Sequence, residues 1–181
     1  VTEAPAVDIR EATVADAEDF ERLLMANREF LRPFEPARPD WFFTLSGIRG
    51  ELERAIADRE ADALYAFGIW ERDTGTLVGR IALANVVRGA WQNATLGYFV
   101  GHEWGRRGYA TEAVRQVVDF AFGSARLHRV QAAAMPRNIA SVRVLEKNQF
   151  RFEGRAERYL QINGVWEDHS IYALTAEDDR P

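Results

Sequence analysis

From Gly101 to Ala113 the chain reads Gly-His-Glu-Trp-Gly-Arg-Arg-Gly-Tyr-Ala-Thr-Glu-Ala, a glycine-bearing loop between an apolar strand-like run and a helix-like one. Such a loop turns several main-chain N–H groups outward at the positive end of a helix dipole, an arrangement suited to a phosphate or pyrophosphate. Gly105 and Gly108 would supply positive φ and close approach. A plain strand-to-helix turn would use the same glycines, so the loop alone leaves both readings open. Two phosphate loops are excluded. No Gly-Lys-Ser/Thr ending marks a Walker NTPase, and no Gly-x-Gly-x-x-Gly with a downstream acid marks a dinucleotide site.

The elements that must position this loop follow from periodicity. Val7 to Thr13 reads as a strand, and Ala17 to Phe34 as a helix with Phe20, Leu23, Leu24, Asn27 and Leu31 at helical spacing. Pro33, Pro36 and Pro39 break it, and Leu45 to Asp58 forms a second helix. Ala63–Trp70, Leu77–Val87 and Ala94–Val100 read as an antiparallel meander, with a turn around Asp73-Thr74-Gly75. After Gly108, the positions Ala110, Ala113, Val114, Val117, Val118 and Ala121 mark a long amphipathic helix. Arg129–Met135 reads as a buried strand and Asn138–Asn148 as a short helix, and Phe150–Ile162 with Val165–Leu174 closes the chain as a hairpin through Asn163-Gly164. The class is α+β, one mixed sheet with helices on both faces, in a single domain over residues 1–181.

Composition excludes several chemistries. With 47% hydrophobic and 28% charged residues the chain is an ordinary globular one. At 181 residues it hides roughly 70% of its unfolded surface without needing a staple. The absence of cysteine removes thiolate nucleophiles, iron–sulfur clusters and cysteine zinc sites. His102, His128 and His169 form no HxxxH or HExxH pair, so no metal is expected. Net charge −5 disfavours nucleic acid and mildly favours cationic partners. The longest apolar run, Ala63 to Trp70, is far short of the roughly 20 residues of a membrane helix. Val1-Thr2-Glu3-Ala4-Pro5 has neither the basic nor the apolar block of a signal peptide, which makes cytoplasm the expected compartment.

Leu96-Gly97-Tyr98-Phe99-Val100 followed by Gly105-Arg106-Arg107-Gly108-Tyr109-Ala110-Thr111-Glu112-Ala113 resembles motif A of the GNAT acetyltransferases, and Asn138 to Phe150 resembles the family's NxxS…LEKxGF segment. Asn85 to Gly89, Ala133 to Pro136, Tyr159 to His169 and Ala173-Leu174-Thr175 are similar to its RimJ-type branch, the ribosomal-protein alanine N-acetyltransferases. The likeness covers about Leu77 to Thr175 and implies a mixed, mostly antiparallel sheet of about seven strands.

The resemblance further implies acetyl-coenzyme A as co-substrate. It sets Phe99 and Val100 beside the pantetheine arm and the amides of Arg106, Arg107, Gly108, Ala110 and Thr111 around the pyrophosphate. Asn138 would reach the cofactor arm, and the Ser141 hydroxyl would protonate the departing thiolate. The 3′-phosphate would meet Arg106, Arg107, Arg143 and Lys147. Read without the family, Asn138 is an N-cap for the amide of Ser141, Ser141 is a polar first-turn residue, and Arg143 and Lys147 are a solvated helix face. The sequence departs from the family twice. The loop glycine stands one place early, at Gly105, which leaves Arg106 in its position, and Gln149 replaces a helix-stopping glycine, so a different helix stop is expected.

The implied acceptor is the N-terminal amine of a protein, a ribosomal one by likeness. An α-amine, with a pKa near 8, is about a tenth neutral at pH 7, whereas a lysine near 10.4 needs far more help. Direct attack on the thioester follows, and no acyl-enzyme can form through sulfur. For the base, Leu160 fills the position of the family's glutamate, leaving Glu103, Glu157, Glu167 and Asp168 as candidates. Phe34, Trp41, Phe42, Phe43, Tyr65 and Trp70 either line an acceptor groove or pack the core. Two alternatives stand beside this reading: an acetyltransferase for small amines such as antibiotics or polyamines, and a non-catalytic module that binds coenzyme A. The presence of both Asn138 and Ser141 argues against the second.

Overall fold

Successive residues of the central strands point to opposite faces of the sheet, and both faces carry apolar residues; with apolar positions at three- and four-residue spacing on the helices, the chain buries both faces under two layers of helix about one sheet. The computed structural model describes residues 6–178; the N-terminal reading of Val1 to Pro5 lies outside them. The elements are β1 (Val7–Glu11), α1 (Ala17–Leu31), α2 (Leu45–Glu60), β2 (Tyr65–Glu71), β3 (Leu77–Val87), β4 (Asn93–Val100), α3 (Tyr109–Phe122), β5 (Arg129–Ala134), α4 (Ile139–Lys147), β6 (Arg151–Ile162) and β7 (Val165–Thr175).

The sheet is seven-stranded with the order β1-β2-β3-β4-β5-β7-β6. Among the described residues its only parallel pair is β4 with β5, which α3 connects; the other neighbours are antiparallel. On one face α3 buries Ala113, Val114, Val117, Val118 and Ala121 against Ile81, Leu83, Leu96 and Val130, with Leu145 of α4 in the same core. On the other, Phe20, Leu23, Leu24 and Leu31 of α1 join Ile48 and Leu52 of α2 over Leu77 and Phe99. At about 25 cal/mol per Å² of apolar area buried, these two faces hold the sheet between the helices.

Several predicted ends move for identifiable reasons. The first strand stops at Glu11 rather than Thr13, because the amide and hydroxyl of Thr13 both donate to Asp16 and turn the chain into α1. The first helix ends at Leu31 rather than Phe34. Arg32 is still helical at φ −47°, ψ −40°, but Pro33 has no N–H to continue the ladder, and the Phe34 and Glu35 amides turn back to Leu31 O at 2.8 and 3.1 Å. The short helix keeps Asn138 and Asn148 as its caps rather than as members.

Candidate functional site

The sheet is open at its centre. The β4–β5 pairing ends at Leu96 with Ala132. Beyond it, β4 stays with β3 to Val100 opposite Gly79, and β5 stays with β7 to Ala134 opposite Ser170. The two strands therefore diverge into a wedge. The Gly101 amide donates to Val78 O at 2.8 Å. Strand alternation then turns the main-chain groups of Gly101 and Phe99 toward β3 and those of Tyr98 and Val100 toward the wedge. Of the two residues expected there, Val100 offers its backbone to the opening. Phe99 instead pairs with Arg80 and buries its ring in the α1/α2-side core, with the Arg80 guanidinium 5.2 Å from the ring centre.

The wedge leads into the glycine-bearing loop. Gly101 is packed so closely that a Cβ there would lie 2.8 Å from the Trp104 ring and 3.0 Å from the Asn27 side-chain nitrogen. Asn27, buried on the apolar stripe of α1, accepts from the His102 amide at 2.8 Å and donates to Leu23 O at 2.9 Å. Sequence reasoning had counted it as core; a polar residue on an otherwise apolar stripe was the available signal. The left-handed steps of the loop fall at Arg106 (φ 63°) and Gly108 (φ 82°), while Gly105 is extended at φ −60°, ψ 151°. The displaced glycine thus does not move the bend: arginine adopts the conformation in its place.

The first helical bond of α3 runs from the Glu112 amide to Gly108 O at 3.0 Å. Among the described residues, the amides from Arg106 to Thr111 have no protein acceptor. The expected anion-facing amides are therefore gathered and free. The side chains of Arg106 and Arg107 are exposed. That of Arg107 stands beside Tyr109 and Glu71, whose hydroxyl and carboxylate bond each other at the end of β2. Arg143 and Lys147 lie four residues apart on α4, exposed and without an ion pair among the described residues. The four cations suggested for a 3′-phosphate are thus split between loop and helix.

At the start of α4 the Asn138 side chain accepts from the Ser141 amide at 3.2 Å, as an N-cap does. The Ser141 hydroxyl lies 3.0 Å from the Tyr98 hydroxyl, which also donates to Ser141 O at 3.2 Å. Burial pushes the Tyr98 phenol well above its ordinary value, outweighing the opposing bond from Ser141. Tyr98 is a site residue that sequence reasoning misses, because it lies within motif A while its partner lies 43 positions away. At the other end of α4, Gln149 sits at φ 61°. Its amide donates to Glu146 O at 2.9 Å and that of Phe150 to Leu145 O at 3.0 Å. This is the Schellman stop that glycine normally forms, with Phe150 and Leu145 as its apolar contact. The expectation of a different stop is corrected: glutamine takes the left-handed position. Asn148, buried, donates to Thr111 O at 3.2 Å and ties α4 to the α3 start.

On the opposite face a groove of about 430 Å³ runs between α1, α2 and the sheet, lined by Phe20, Phe42, Glu35, Arg80, Gly97 and Tyr98 among others. A second hollow of about 310 Å³ shares Leu24, Glu35 and Arg38 with it and continues to Asn163 at the hairpin turn. Of the aromatic residues expected there, Phe42 and Phe43 line the hollows. Trp70 is buried in the core with Arg10 4.0 Å from its ring centre, Tyr65 bonds Asp62, Phe34 lies beneath Arg137, and Trp41 is exposed. None of the four carboxylates proposed as base lines the groove. Glu167 holds Arg137 at 2.7 Å, Asp168 accepts from Arg155 at 2.7 Å and from the Arg158 amide at 2.8 Å, and Glu103 and Glu157 are exposed. Glu35, which does line it, pairs with Arg80 at 3.1 Å. Among the described residues no cluster of three or more acids and histidines is placed to hold a metal ion, and no helix is long and apolar enough to cross a membrane.

The mixed sheet split at one parallel pair, with free amides at the head of the connecting helix, is the arrangement of an acetyltransferase fold. A family model described as Acetyltransferase (GNAT) domain matches residues 7–151, and the chain belongs to that family, in its RimJ-like branch. It is 42% identical over 171 residues to the Bacillus subtilis protein named Probable N-acetyltransferase YjcK, covering 94% of each chain. It is 34% identical over 155 residues to the [Ribosomal protein uS5]-alanine N-acetyltransferase of Escherichia coli, covering 86% of this chain and 80% of that one. Among solved structures, Mycobacterium smegmatis RimJ in complex with CoA-disulfide superposes with a TM-score of 0.91 at 33% identity, over 96% of this chain and 84% of that one.

Proposed function

We propose that this chain, acting as a single domain, transfers the acetyl group of acetyl-coenzyme A to the N-terminal α-amine of a protein, with a ribosomal protein as acceptor. The observation that carries the reading is the wedge between β4 and β5 running directly into the free amides of Arg106 to Thr111. An extended thiol arm can pair with the main chain of Val100 and pass Phe99, while Arg106, Arg107, Gly108, Ala110 and Thr111 hold the pyrophosphate through their amides. Asn138 borders the arm from α4, Arg143 and Lys147 offer charge for the 3′-phosphate, and Ser141 stands where the sulfur departs. A coenzyme A complex of a 33%-identical relative, and a 34%-identical relative named for an alanine N-terminus of uS5, support the donor and the acceptor respectively. The two hollows share Leu24, Glu35 and Arg38 as lining and offer the acceptor a surface on the face away from α3. A ribosomal acceptor sets the reaction in the cytoplasm.

The test is acetyl transfer from acetyl-coenzyme A to peptides carrying ribosomal-protein N-termini and, in parallel, to a panel of small amines. Because the chain has no cysteine, released coenzyme A thiol is read without background, and mass spectrometry locates the acetyl group. Turnover with alanine-initiated peptides is expected. Turnover with small amines alone would overturn the protein acceptor, and coenzyme A binding without any turnover would overturn catalysis.

A further inference from the structure

We propose that Gly97 is the gate by which the acceptor amine passes from the groove into the wedge, its missing side chain serving passage and not the fold. The inference rests on the acetyl-transfer reading above and names a residue that selects the acceptor. Among the described residues, four glycines stand within strands: Gly68, Gly79, Gly97 and Gly154. A strand interior disfavours glycine, which has no side chain to pack and the most freedom to lose. Three of the four have a reason in the fold. A Cβ on Gly68 would run into the Trp70 indole nitrogen and Leu77, and one on Gly79 into Phe99 O. Gly154 sits at φ 152°, at an irregularity of the β6–β7 pairing. Gly97 has no such reason: its φ is not positive, and a Cβ there would meet no atom within 4 Å.

Its place supplies one. Gly97 is the first residue of β4 beyond the last pair with β5, Leu96 with Ala132. It stands two residues before Phe99, so its open side is the face on which the Phe99 ring packs beneath α1 and α2. There it lines the groove, in one register row with Ala82 on β3 and Ala66 on β2. Tyr98 lines the same groove. Its side chain lies on the α3/α4 face against Ser141, so it reaches the groove through its main chain, whose polar groups border the wedge. Groove and wedge therefore communicate across a floor that carries no long side chain. The next row toward the loop is bulky, with Arg80 opposite Phe99 and tied to Glu35 at 3.1 Å. The acceptor class this geometry admits is a primary amine at the end of a slender, extended chain, as a peptide N-terminus is.

The test compares wild type with Gly97→Ala, Gly97→Leu and Ala84→Leu, the last a groove position opposite Thr95, on the side of Leu96 away from the wedge. Steady-state kinetics with an alanine-initiated peptide are read beside calorimetric coenzyme A affinity and melting temperature. Gly97→Leu is expected to lower kcat/KM for the peptide by about 100-fold, and Gly97→Ala by about 10-fold. Coenzyme A affinity should stay within about twofold of wild type in both, and Gly97→Ala should melt no lower than wild type, because the strand loses a glycine. Ala84→Leu should cost less than a tenth of the Gly97→Leu effect. A Gly97→Leu variant with kcat/KM within about twofold of wild type would overturn the gate. So would an equal loss in Ala84→Leu, a parallel loss of coenzyme A affinity, or a lowered melting temperature in Gly97→Ala, which would assign the glycine to the fold. Should Gly97→Leu fail to fold, Gly97→Ala decides by the same readouts. Failure of the wild-type chain to bind coenzyme A or to turn over any amine would instead remove the underlying reading.

Discussion

Two helices on opposite faces of the sheet begin in opposite ways. Ahead of α1 the Asp16 carboxylate, buried, accepts from the Thr13 amide and hydroxyl at 2.8 Å each and from Arg10 at 2.9 Å. Ahead of α3 stands Gly108, left-handed and without a side-chain cap, and the amides around it have no acceptor among the described residues. Both helix ends carry the same partial positive charge. At α1 the chain supplies the anion itself, which fixes the strand-to-helix corner. At α3 it withholds one and leaves the place for a ligand's phosphate. A helix start built for stability and one built for binding thus differ mainly in who provides the negative charge.

The sharpest way to break this contrast is Gly108→Val. A β-branched residue at φ 82° is a steric outlier, and the displaced amides should weaken coenzyme A binding by roughly 30-fold, or about 2 kcal/mol, while the sheet stays folded. Unaltered calorimetric affinity would place the phosphate site elsewhere. The converse is Asp16→Ala, which should lower stability by about 1.5 kcal/mol in denaturant titration and leave coenzyme A affinity within about twofold.

Asp16 also sets a pH dependence. Burial works to raise its pKa, but the bonds from Thr13 and Arg10 outweigh it and hold the carboxyl below its ordinary value. A lowered folded pKa means that the contribution is present above the unfolded value, near 4, and is lost as pH falls through the folded one. Melting temperatures recorded from pH 6 down to pH 2 should fall less steeply in Asp16→Asn than in wild type. Parallel curves would show that the Asp16 carboxylate carries no such linkage.

The smallest effects concern the two polar side chains held in left-handed backbone. Gln149→Gly should stabilise the fold by about 0.5–1 kcal/mol, the relief of positive φ being partly offset by glycine's greater unfolded freedom. Arg106→Gly should gain a similar amount and keep coenzyme A affinity within about threefold, because the loop offers its amide rather than its side chain. A tenfold loss of affinity would assign the guanidinium a direct role.

These two positions show what could be read from the residues and what could not. The strands and helices were legible because burial writes periods of two and of three to four into apolar positions. The loop was legible through its glycines and its place between strand and helix. Its bend was not, because Arg106 adopts a conformation that a residue-type argument assigns to Gly105. Gln149 repeats the lesson at the end of α4, where neighbouring backbone bonds impose the stop despite the side chain. The wedge was invisible without the family likeness, since it depends on β7 entering the sheet between β5 and β6 and on β4 and β5 parting after Leu96. The Tyr98–Ser141 and Glu35–Arg80 pairs join residues 43 and 45 positions apart, and no local pattern encodes such meetings.

The central claim, that the bare amides leading into α3 grip the diphosphate of coenzyme A, is tested most directly by an amide-resolved NMR titration of the folded protein with coenzyme A. The account predicts saturable shifts that are largest from Arg106 to Thr111 and extend along Tyr98 and Val100. Binding that leaves those amides unmoved, or no binding at all, would contradict it.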